Sequence, residues 1–317
     1  MTTPQTAIHS GHGPQTTARE AIGNRDLTGV IAIVTGGHTG LGLETTRALS
    51  GAGATVIVGA RTLDKARAAL GGIDRVEIAA LDLSQPASVD AFTAGFLASG
   101  RPAHMLVNNA GIMAPPLVRD ARGFESQLAT NHLGHFQLTA RLWPALRRAN
   151  GARVVCLSSR GHARAGVDFD DPNFERRDYD KWKAYGQSKT ANALFALALD
   201  ARGEAHRVRA FSVHPGAVLT DLVRSLSEDE VRAAVARSRT LSTFKTVEQG
   251  AATSVWCATS AALEGMGGVY CEDVDIAEAV AADFSGPGGV RPWAMDRGLA
   301  ERLWTKSEEW TGVAFTA

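Results

Sequence analysis

The stretch at residues 31–50 constrains the fold of this chain more than any other feature. It begins with a short apolar run rich in β-branched residues, Ile31–Thr35, which is typical of a buried strand in a parallel sheet. A turn with the spacing Thr-Gly-x-x-x-Gly-x-Gly follows, and a helix is predicted from Leu41 onward. Glycines let the backbone approach a pyrophosphate, and the free N–H groups of a helix N-terminus attract anions. In this strand–turn–helix context the spacing indicates a dinucleotide-binding site rather than an ordinary tight turn.

Composition and charge exclude several classes of protein. The chain has 317 residues, of which 44% are apolar, and its formal net charge at pH 7 is zero. Because there is no long basic block, nucleic acid and anionic membrane surfaces are not expected as main partners. No run of about eighteen apolar residues is present, so no transmembrane helix is expected. Three cysteines that lie far apart fit no metal spacing and indicate a reducing, cytoplasmic setting.

Strands alternate with helices along most of the chain. Apolar runs predict strands at 31–35, 54–59, 75–79, 105–108, 153–157, 208–213 and 267–270. Helices are predicted between them, among others at 18–22, 63–70, 123–150 and 185–201. This alternation predicts an α/β fold built on a single doubly wound parallel sheet of the Rossmann type, with helices on both faces.

The domain organisation predicted from the sequence is simple. Residues 1–25 form a polar N-terminal arm, and residues 26–317 form one dinucleotide-binding catalytic domain, because no break in composition divides them. Within this domain, residues 221–245 are polar and charged with a helical middle. They are expected to form a surface excursion or a lid.

The end of the second strand distinguishes the two nicotinamide cofactors. An NAD(H) site normally carries an acidic side chain there, which accepts hydrogen bonds from the ribose hydroxyls. This chain reads Val58-Gly-Ala-Arg61, so the acid is missing and a guanidinium follows directly. Arg61 can pair with a 2′-phosphate, and His38 and Thr62 can add hydrogen-bond donors. A solvated strand-end charge is the alternative, but the position of Arg61 favours NADP(H) over NAD(H).

Three clusters of polar residues follow strands at the same edge of the sheet. Asn108–Gly111 reads Asn-Asn-Ala-Gly after the fourth strand, and Ser158 and Ser159 follow the fifth. Tyr185 and Lys189 stand one turn apart on one face of the next helix. Tyr-x-x-x-Lys alone is common by chance, but its combination with the other clusters and the glycine turn is specific. Ser158 would point to the other side of the strand end from Ser159, so its predicted role is structural.

From about Leu27 to Tyr270 the sequence resembles the short-chain dehydrogenase/reductase family. The matching positions are Thr35–Gly42, Asp82, Asn108–Gly111, Asn131, Ser159, Tyr185, Lys189 and Pro215–Thr220. Three longer segments resemble the retinol-dehydrogenase-like branch of that family, namely Asn131–Thr139, Ala184–Asn192 and His214–Thr220. The resemblance implies hydride transfer between a nicotinamide cofactor and a carbonyl or alcohol substrate.

The resemblance also implies a role for each catalytic residue. Tyr185 would act as the general acid/base, and the positive charge of Lys189 would favour its phenolate. Lys189 would also hold the nicotinamide ribose. Ser159 would donate a hydrogen bond to the reacting oxygen, and Asn131 would hold a water that relays protons to Lys189.

The resemblance places the cofactor along the glycine turn and the strand ends. Asp82 and Leu83 would contact the adenine, while Thr220 and the backbone near Val218 would contact the carboxamide. The remaining expected cofactor contacts are Gly36, His38, Thr39, Gly40, Leu41, Gly42, Arg61, Asn109, Ala110, Gly111, Tyr185, Lys189, Pro215 and Gly216.

The main hypothesis is therefore an NADP(H)-dependent oxidoreductase that interconverts a carbonyl and an alcohol. One alternative is a non-catalytic NADP(H)-sensing regulator, which the intact catalytic residues disfavour. The other is a reductase of an activated C=C bond. No metal is expected, because the cofactor carries the hydride chemistry and the pair His132 and His135 lacks a third ligand.

Three loops would shape the substrate pocket, at residues 114–118, 160–183 and 222–245. Their apolar side chains predict a small-molecule substrate that is mainly apolar, and the charge-rich segment 160–183 is expected to be a solvated loop. Members of the family often pair through two long helices, which correspond here to residues 123–150 and 185–201. A homodimer is therefore expected.

Overall fold

One sheet forms the centre of the protein. The computed structural model describes residues 3–241 and 244–315, and eight strands within these residues join in the sheet. In chain order they are β1 Ile31–Thr35, β2 Thr55–Ala60, β3 Val76–Ala80, β4 Met105–Asn108, β5 Ala152–Leu157, β6 Val208–His214, β7 Val269–Glu272 and β8 Asp275–Ile276. They lie in the order β3-β2-β1-β4-β5-β6-β7-β8, and β1 to β7 are parallel. The predicted doubly wound α/β fold is confirmed.

The last strand departs from the wholly parallel sheet that the sequence predicts. β8 pairs antiparallel with β7 across a turn at Asp273 and Val274, whose φ angles are 51° and 64°. Positive φ at both positions is the pattern of a tight hairpin turn, which usually carries Asn-Gly. Asp-Val carries no such signal, so the local sequence does not indicate the hairpin.

Helices cover both faces of the sheet. They are α1 Ala18–Ile22, α2 Gly40–Gly51, α3 Leu63–Leu70, α4 Pro86–Ala98, α5 Ser126–Leu128, α6 Gly134–Arg148, α7 Lys181–Gly203, α8 Glu228–Leu241, α9 Val247–Thr259 and α10 Arg297–Thr311. The predicted short helix at 18–22 is confirmed, and a capping box between Thr17 and Glu20 stabilises its N-terminus. Every helix in the described residues is too short or too polar to span a lipid bilayer.

Alternate strand residues supply two separate core layers. On one face, Ile33 and Leu106 pack with residues of α4, α6, α7 and α10. On the other face, Ala32 and Val34 pack with residues of α1, α2, α3 and α9. The central strands are therefore buried on both sides, as is normal for a parallel sheet.

The long helix predicted at 123–150 begins later and is interrupted. α5 begins after Glu125, whose carboxylate accepts hydrogen bonds from two of its N–H groups. A π-helical turn, Ala129–Leu133, then separates α5 from α6. A Cβ at Gly134 would lie 2.3 Å from the carbonyl oxygen of Leu83, so the glycine lets the start of α6 approach the loop after β3.

The C-terminal helix α10 lies against α6 and α7. Trp304 is buried there, and its ring contacts those of Phe136, Phe195 and Phe315. The Arg202 guanidinium lies 4.1 Å from the centroid of the Trp304 ring. α10 thus covers part of the helical surface through which a homodimer is expected, and the homodimer stays a prediction.

The N-terminal arm runs beside the last two strands. The Gln5 side chain donates to the carbonyl oxygen of Tyr270 at 2.8 Å and accepts from its N–H at 2.9 Å, so one amide satisfies both backbone groups. The Asp275 carboxylate accepts from the N–H groups of Ile8 and Ser10. Side-chain hydrogen bonds therefore attach this part of the arm to the sheet.

Replacing Trp304 with alanine is expected to destabilise the protein by about 3–5 kcal/mol, because a large buried ring leaves a cavity under α10. Trp310 is the matched control, since it lies on the same helix but is only half-buried, and its replacement is expected to cost clearly less. Urea unfolding followed by circular dichroism measures both losses. A loss below about 1 kcal/mol for Trp304→Ala would contradict the packing role of α10.

Candidate active site

A cavity of about 770 Å³ opens where the strand order reverses. β1 and β4 are neighbours in the sheet, and the crevice beyond their carboxyl ends is the usual ligand position in a doubly wound fold. The predicted site residues that line this cavity are Gly36, His38, Thr39, Gly40, Leu41, Gly42, Arg61, Asp82, Leu83, Asn109, Ala110, Gly111, Ser159, Tyr185, Lys189, Pro215, Gly216, Val218 and Thr220.

Thr35, the last residue of β1, ties the glycine turn to the loop after β4. Its hydroxyl accepts hydrogen bonds from the N–H groups of Asn109 and Ala110, both at 2.9 Å. The Asn109 side chain donates to the Thr35 carbonyl oxygen at 2.8 Å. Gly36 has a φ of +65°, and a Cβ at Gly42 would lie only 2.4 Å from the Gly36 carbonyl oxygen. The turn is therefore tight enough to bring the first residues of α2 to the crevice, an arrangement that fits a pyrophosphate.

Three basic side chains line the cavity beside the end of β2, and we call them the basic cluster: His38, Arg61 and Lys65. Burial lowers the pKa of His38, and the nearby charges of Arg61 and Lys65 lower it further. The buried Nδ1 of His38 has no hydrogen-bond partner among the described residues. Within the same part of the chain, neither Arg61 nor Lys65 has an ion pair, whereas Arg67 on α3 is paired with Asp64. This basic cluster fits a phosphate group, and Lys65 is a member that the sequence analysis missed although it lies only four residues after Arg61.

Tyr185 and Lys189 lie on the face of α7 that borders the cavity, as their spacing predicts. Lys189 Nζ donates to the carbonyl oxygen of Leu157 at 2.9 Å and lies 5.6 Å from the centroid of the Tyr185 ring. Ser159, two residues after β5, lines the same cavity. A Cβ at Gly161 would lie 2.8 Å from Tyr185 Cε1, so this glycine lets the ring pack directly on the turn that follows Ser159.

Burial has the largest effect on the charge of both α7 residues. It raises the pKa of Tyr185 to about 12, while the Ser159 side chain acts in the opposite direction. It lowers the pKa of Lys189 to about 8. Desolvation thus outweighs the effect of Lys189 that was expected to favour the phenolate. Tyr185 is a neutral phenol at pH 7, which makes it a proton donor.

All the predicted site residues lie in the described part of the chain. Asn131 does not line the cavity, whereas the others do. Its Oδ1 accepts from the N–H of Ile112 at 2.9 Å, and its Nδ2 donates to the Ile112 carbonyl oxygen at 3.0 Å and to Ser188 Oγ at 2.9 Å. These bonds join the π-helical turn to the loop after β4 and to α7. Asn131 therefore braces the site from behind, and its role in a proton relay stays a prediction.

Other polar residues near the site are engaged in packing. Ser158 Oγ donates to the carbonyl oxygen of Lys189 at 2.7 Å, which is the structural role predicted for it. His132 Nε2 bonds to a serine of α10 at 2.7 Å, and His135 Nε2 bonds to Thr35 Oγ1 at 2.9 Å. No group of three or more His, Cys, Asp or Glu side chains among the described residues has the geometry of a metal site.

His162, near the start of segment 160–183, is buried, although the charge of this segment predicts a solvated loop. His162 Nδ1 lies 2.8 Å from the carbonyl oxygen of Ser159 and 3.2 Å from Tyr270 Oη. His162 Nε2 accepts from the N–H of Arg291 at 3.1 Å. His162 thus connects the turn after Ser159 to segments 108 and 129 residues away, and no local sequence pattern can reveal such partners.

Comparison with known proteins agrees with this geometry. The family model described as short chain dehydrogenase matches residues 30–231, well over half of the chain. The chain belongs to this family. It is therefore an oxidoreductase, and the cofactor of the family is a nicotinamide dinucleotide.

Individual relatives place the chain more closely within the family. It is 46% identical over 291 residues to a Streptomyces antibioticus protein named "Probable oxidoreductase", covering 88% of this chain and 96% of that one. It is 38% identical over 297 residues to human retinol dehydrogenase 12, covering 92% and 89%. A crystal structure of an uncharacterized protein from Mycobacterium Paratuberculosis superposes with a TM-score of 0.74 at 33% identity, covering 94% and 98%. The resemblance to the retinol-dehydrogenase-like branch is thereby confirmed.

Gly42→Ala is expected to weaken NADPH binding at least about tenfold, because the added Cβ would displace the Gly36 carbonyl and open the turn. Gly95→Ala is the matched control, since Gly95 lies in α4 and a Cβ added there would meet no neighbouring atom within 4 Å. Fluorescence titration with NADPH measures the affinities, and circular dichroism verifies folding. A folded Gly42→Ala protein with wild-type affinity would contradict the assignment of the turn.

Lys189 should make the stability of the cofactor-free protein depend on pH. Its pKa falls from 10.5 to about 8 on folding, so between these values the unfolded chain holds a proton that the folded chain lacks. The free energy of unfolding should therefore rise with pH, by about 2 kcal/mol between pH 8 and 10, relative to Lys189→Met. Urea unfolding of both proteins at the two pH values measures this difference. A difference that is constant or falls with pH would contradict the buried position of the ammonium group.

Proposed function

We propose that this protein is an NADP(H)-dependent oxidoreductase that interconverts a carbonyl and an alcohol, with Tyr185 as the general acid/base. The observation that carries the proposal is that one cavity is lined both by a phenol that can donate a proton and by basic side chains that can bind a phosphate. Tyr185 and Ser159 line one part of this cavity, and the glycine turn lines the crevice between β1 and β4. The basic cluster of His38, Arg61 and Lys65 lines another part. When bound, the cofactor supplies or accepts the hydride at the substrate carbon.

The residues of this chain would handle the substrate oxygen and its proton. In the reducing direction Tyr185 donates its phenolic proton to that oxygen, and its raised pKa keeps the proton available at pH 7. Ser159 donates a hydrogen bond to the same oxygen, which stabilises the negative charge that develops there. Lys189 holds a positive charge beside the Tyr185 ring, and it would bind the ribose hydroxyls of the cofactor.

The basic cluster supports NADP(H) rather than NAD(H). An NAD(H) site needs an acceptor for the ribose hydroxyls at the end of β2, and the cavity there presents His38, Arg61 and Lys65 instead. Asp82 does not supply that acceptor, because it follows β3 and its Oδ1 is occupied by the N–H and hydroxyl of Ser84. A 2′-phosphate would pair with the guanidinium and ammonium groups.

Residues 221–245 would act as a lid over the substrate, because Leu222, Val223 and Phe244 of this segment line the cavity. α8 is joined to the start of α7 by an ion pair between Lys181 and Glu230 at 2.5 Å. The end of the segment is attached by Lys245, which pairs with Asp273 at 2.5 Å. Residues 242–243 of this segment lie outside the described part of the chain.

Tyr185→Phe is expected to lower kcat by about 10²–10⁴-fold while NADPH binding stays unchanged, because only the acidic proton is removed. Tyr179→Phe is the matched control. The Tyr179 hydroxyl bonds to Glu125 and to the Pro115 carbonyl oxygen and does not line the cavity. NADPH consumption with a panel of ketones, aldehydes and quinones measures both. Full activity of Tyr185→Phe would contradict the catalytic assignment and favour the NADP(H)-sensing regulator.

Arg61→Ala is expected to raise the KM for NADPH by about ten- to hundredfold and to leave the KM for NADH unchanged, because it removes a charged partner of the 2′-phosphate. Lys65→Ala should have the same direction with a smaller effect. Arg67→Ala is the matched control, since Arg67 lies on α3, the helix that also carries Lys65, but is paired with Asp64. Equal use of NADPH and NADH by the wild-type protein would overturn the role of Arg61.

A further inference from the structure

The cavity continues past Tyr185 into a region that the proposed reaction does not account for. We call this region the outer chamber. It lies between the loop after β4, the start of α7 and the proposed lid, which we call the lid segment (residues 221–245). Its apolar lining residues are Met113, Trp182, Leu222, Val223, Leu226 and Val231.

Two arginines also line the outer chamber. The Arg164 guanidinium lies 5.3 Å from the centroid of the Trp182 ring, one helical turn before Tyr185. The base of its side chain is close-packed, because a Cβ at Gly186 would lie 3.1 Å from Arg164 Cβ. Arg224 reaches the cavity from the lid segment. Stacking on Trp182 holds the Arg164 guanidinium at the wall while its N–H groups can still donate to another partner.

The charges of these two arginines are not cancelled inside the cavity. Among the described residues that line it, Asp82 is the only carboxylate, and it follows β3, away from the outer chamber. In the described part of the chain neither Arg164 nor Arg224 has an ion pair. The outer chamber therefore combines an apolar wall with two solvent-exposed arginines that have no ion-pair partner among the described residues.

Two neighbouring cations have protein partners instead. Arg160 Nη1 donates to the Pro287 carbonyl oxygen at 2.6 Å. Lys181 is paired with Glu230 on α8. Arg160 and Lys181 therefore bind other parts of the chain and stabilise the fold, whereas Arg164 and Arg224 face the outer chamber.

We propose that the substrate is an apolar carbonyl compound that carries a carboxylate at the end remote from the carbonyl. The carbonyl oxygen lies at Tyr185 and Ser159, the apolar body fills the outer chamber, and the carboxylate pairs with Arg164 and Arg224. This inference rests on the proposed function and refines the expectation of a mainly apolar substrate. A wholly apolar molecule would cover two guanidinium groups without supplying a hydrogen-bond acceptor.

Calorimetric titration of the NADPH-saturated protein with decanoate and with decanol tests the proposal, because the two probes share a chain and differ in charge, and the reduced cofactor cannot accept a hydride from decanol. Decanoate is expected to bind more tightly, by about fivefold for each arginine, and less so at high salt. Arg164→Met and Arg224→Met should each remove about that factor for decanoate and leave decanol unchanged. Arg232→Met is the matched control, since Arg232 lies on α8 but pairs with Glu228 and Asp229.

Three results would overturn the proposal. They are equal affinities for decanol and decanoate, an absence of decanoate binding, and a double variant that keeps the wild-type preference. No turnover occurs in this assay, so its result does not depend on carbonyl reduction. In a separate assay, a medium-chain aldehyde that ends in a carboxylate should have a lower KM than its methyl ester at a similar kcat. If neither aldehyde is reduced, that result counts against the proposed function, and the binding assay still decides on the anion site.

Discussion

The hydrogen bonds of Thr35 hold together the two strand ends between which the cavity opens. Its hydroxyl accepts from the N–H groups that follow β4, and its carbonyl oxygen accepts from the Asn109 side chain. The Nδ2 of the same Asn109 amide lies only 2.5 Å from the position that a Cβ at Gly42 would take. One set of contacts therefore fixes the glycine turn, the start of α2 and the loop after β4 relative to each other. The other residues that line the cavity lie around this crevice.

Burial is the second constraint, and it determines which chemistry the site can carry out. α7 is covered by the sheet on one side and by α10 on another, so Tyr185 and Lys189 lie in a poorly solvated position. Desolvation favours the neutral form of both groups, which keeps the phenol protonated and brings the pKa of Lys189 close to neutrality. The packing that stabilises the fold thus also keeps the Tyr185 phenol protonated at pH 7. A charged cofactor or substrate then enters an environment in which individual charges act strongly.

The local sequence pattern is enough to predict the parallel strands and most of the residues that line the cavity, because both depend on features only a few residues apart. The glycine spacing, the Tyr185–Lys189 spacing and the missing acid after β2 are of this kind. The rest depends on contacts between distant segments. Gln5 reaches Tyr270, His162 reaches Arg291, and the turn at Asp273 and Val274 forms without the usual residues. Neither periodicity nor spacing records such contacts, so they become visible only in the folded chain.

The central claim is that hydride reaches a carbonyl carbon in this cavity while Tyr185 protonates the oxygen. The most direct measurement uses an α,β-unsaturated aldehyde and NADPH deuterated at the transferring position of the nicotinamide, with the product examined by NMR. The account predicts an allylic alcohol with deuterium on the carbinol carbon. Deuterium on the carbon β to the carbonyl would instead show reduction of the C=C bond and contradict the account.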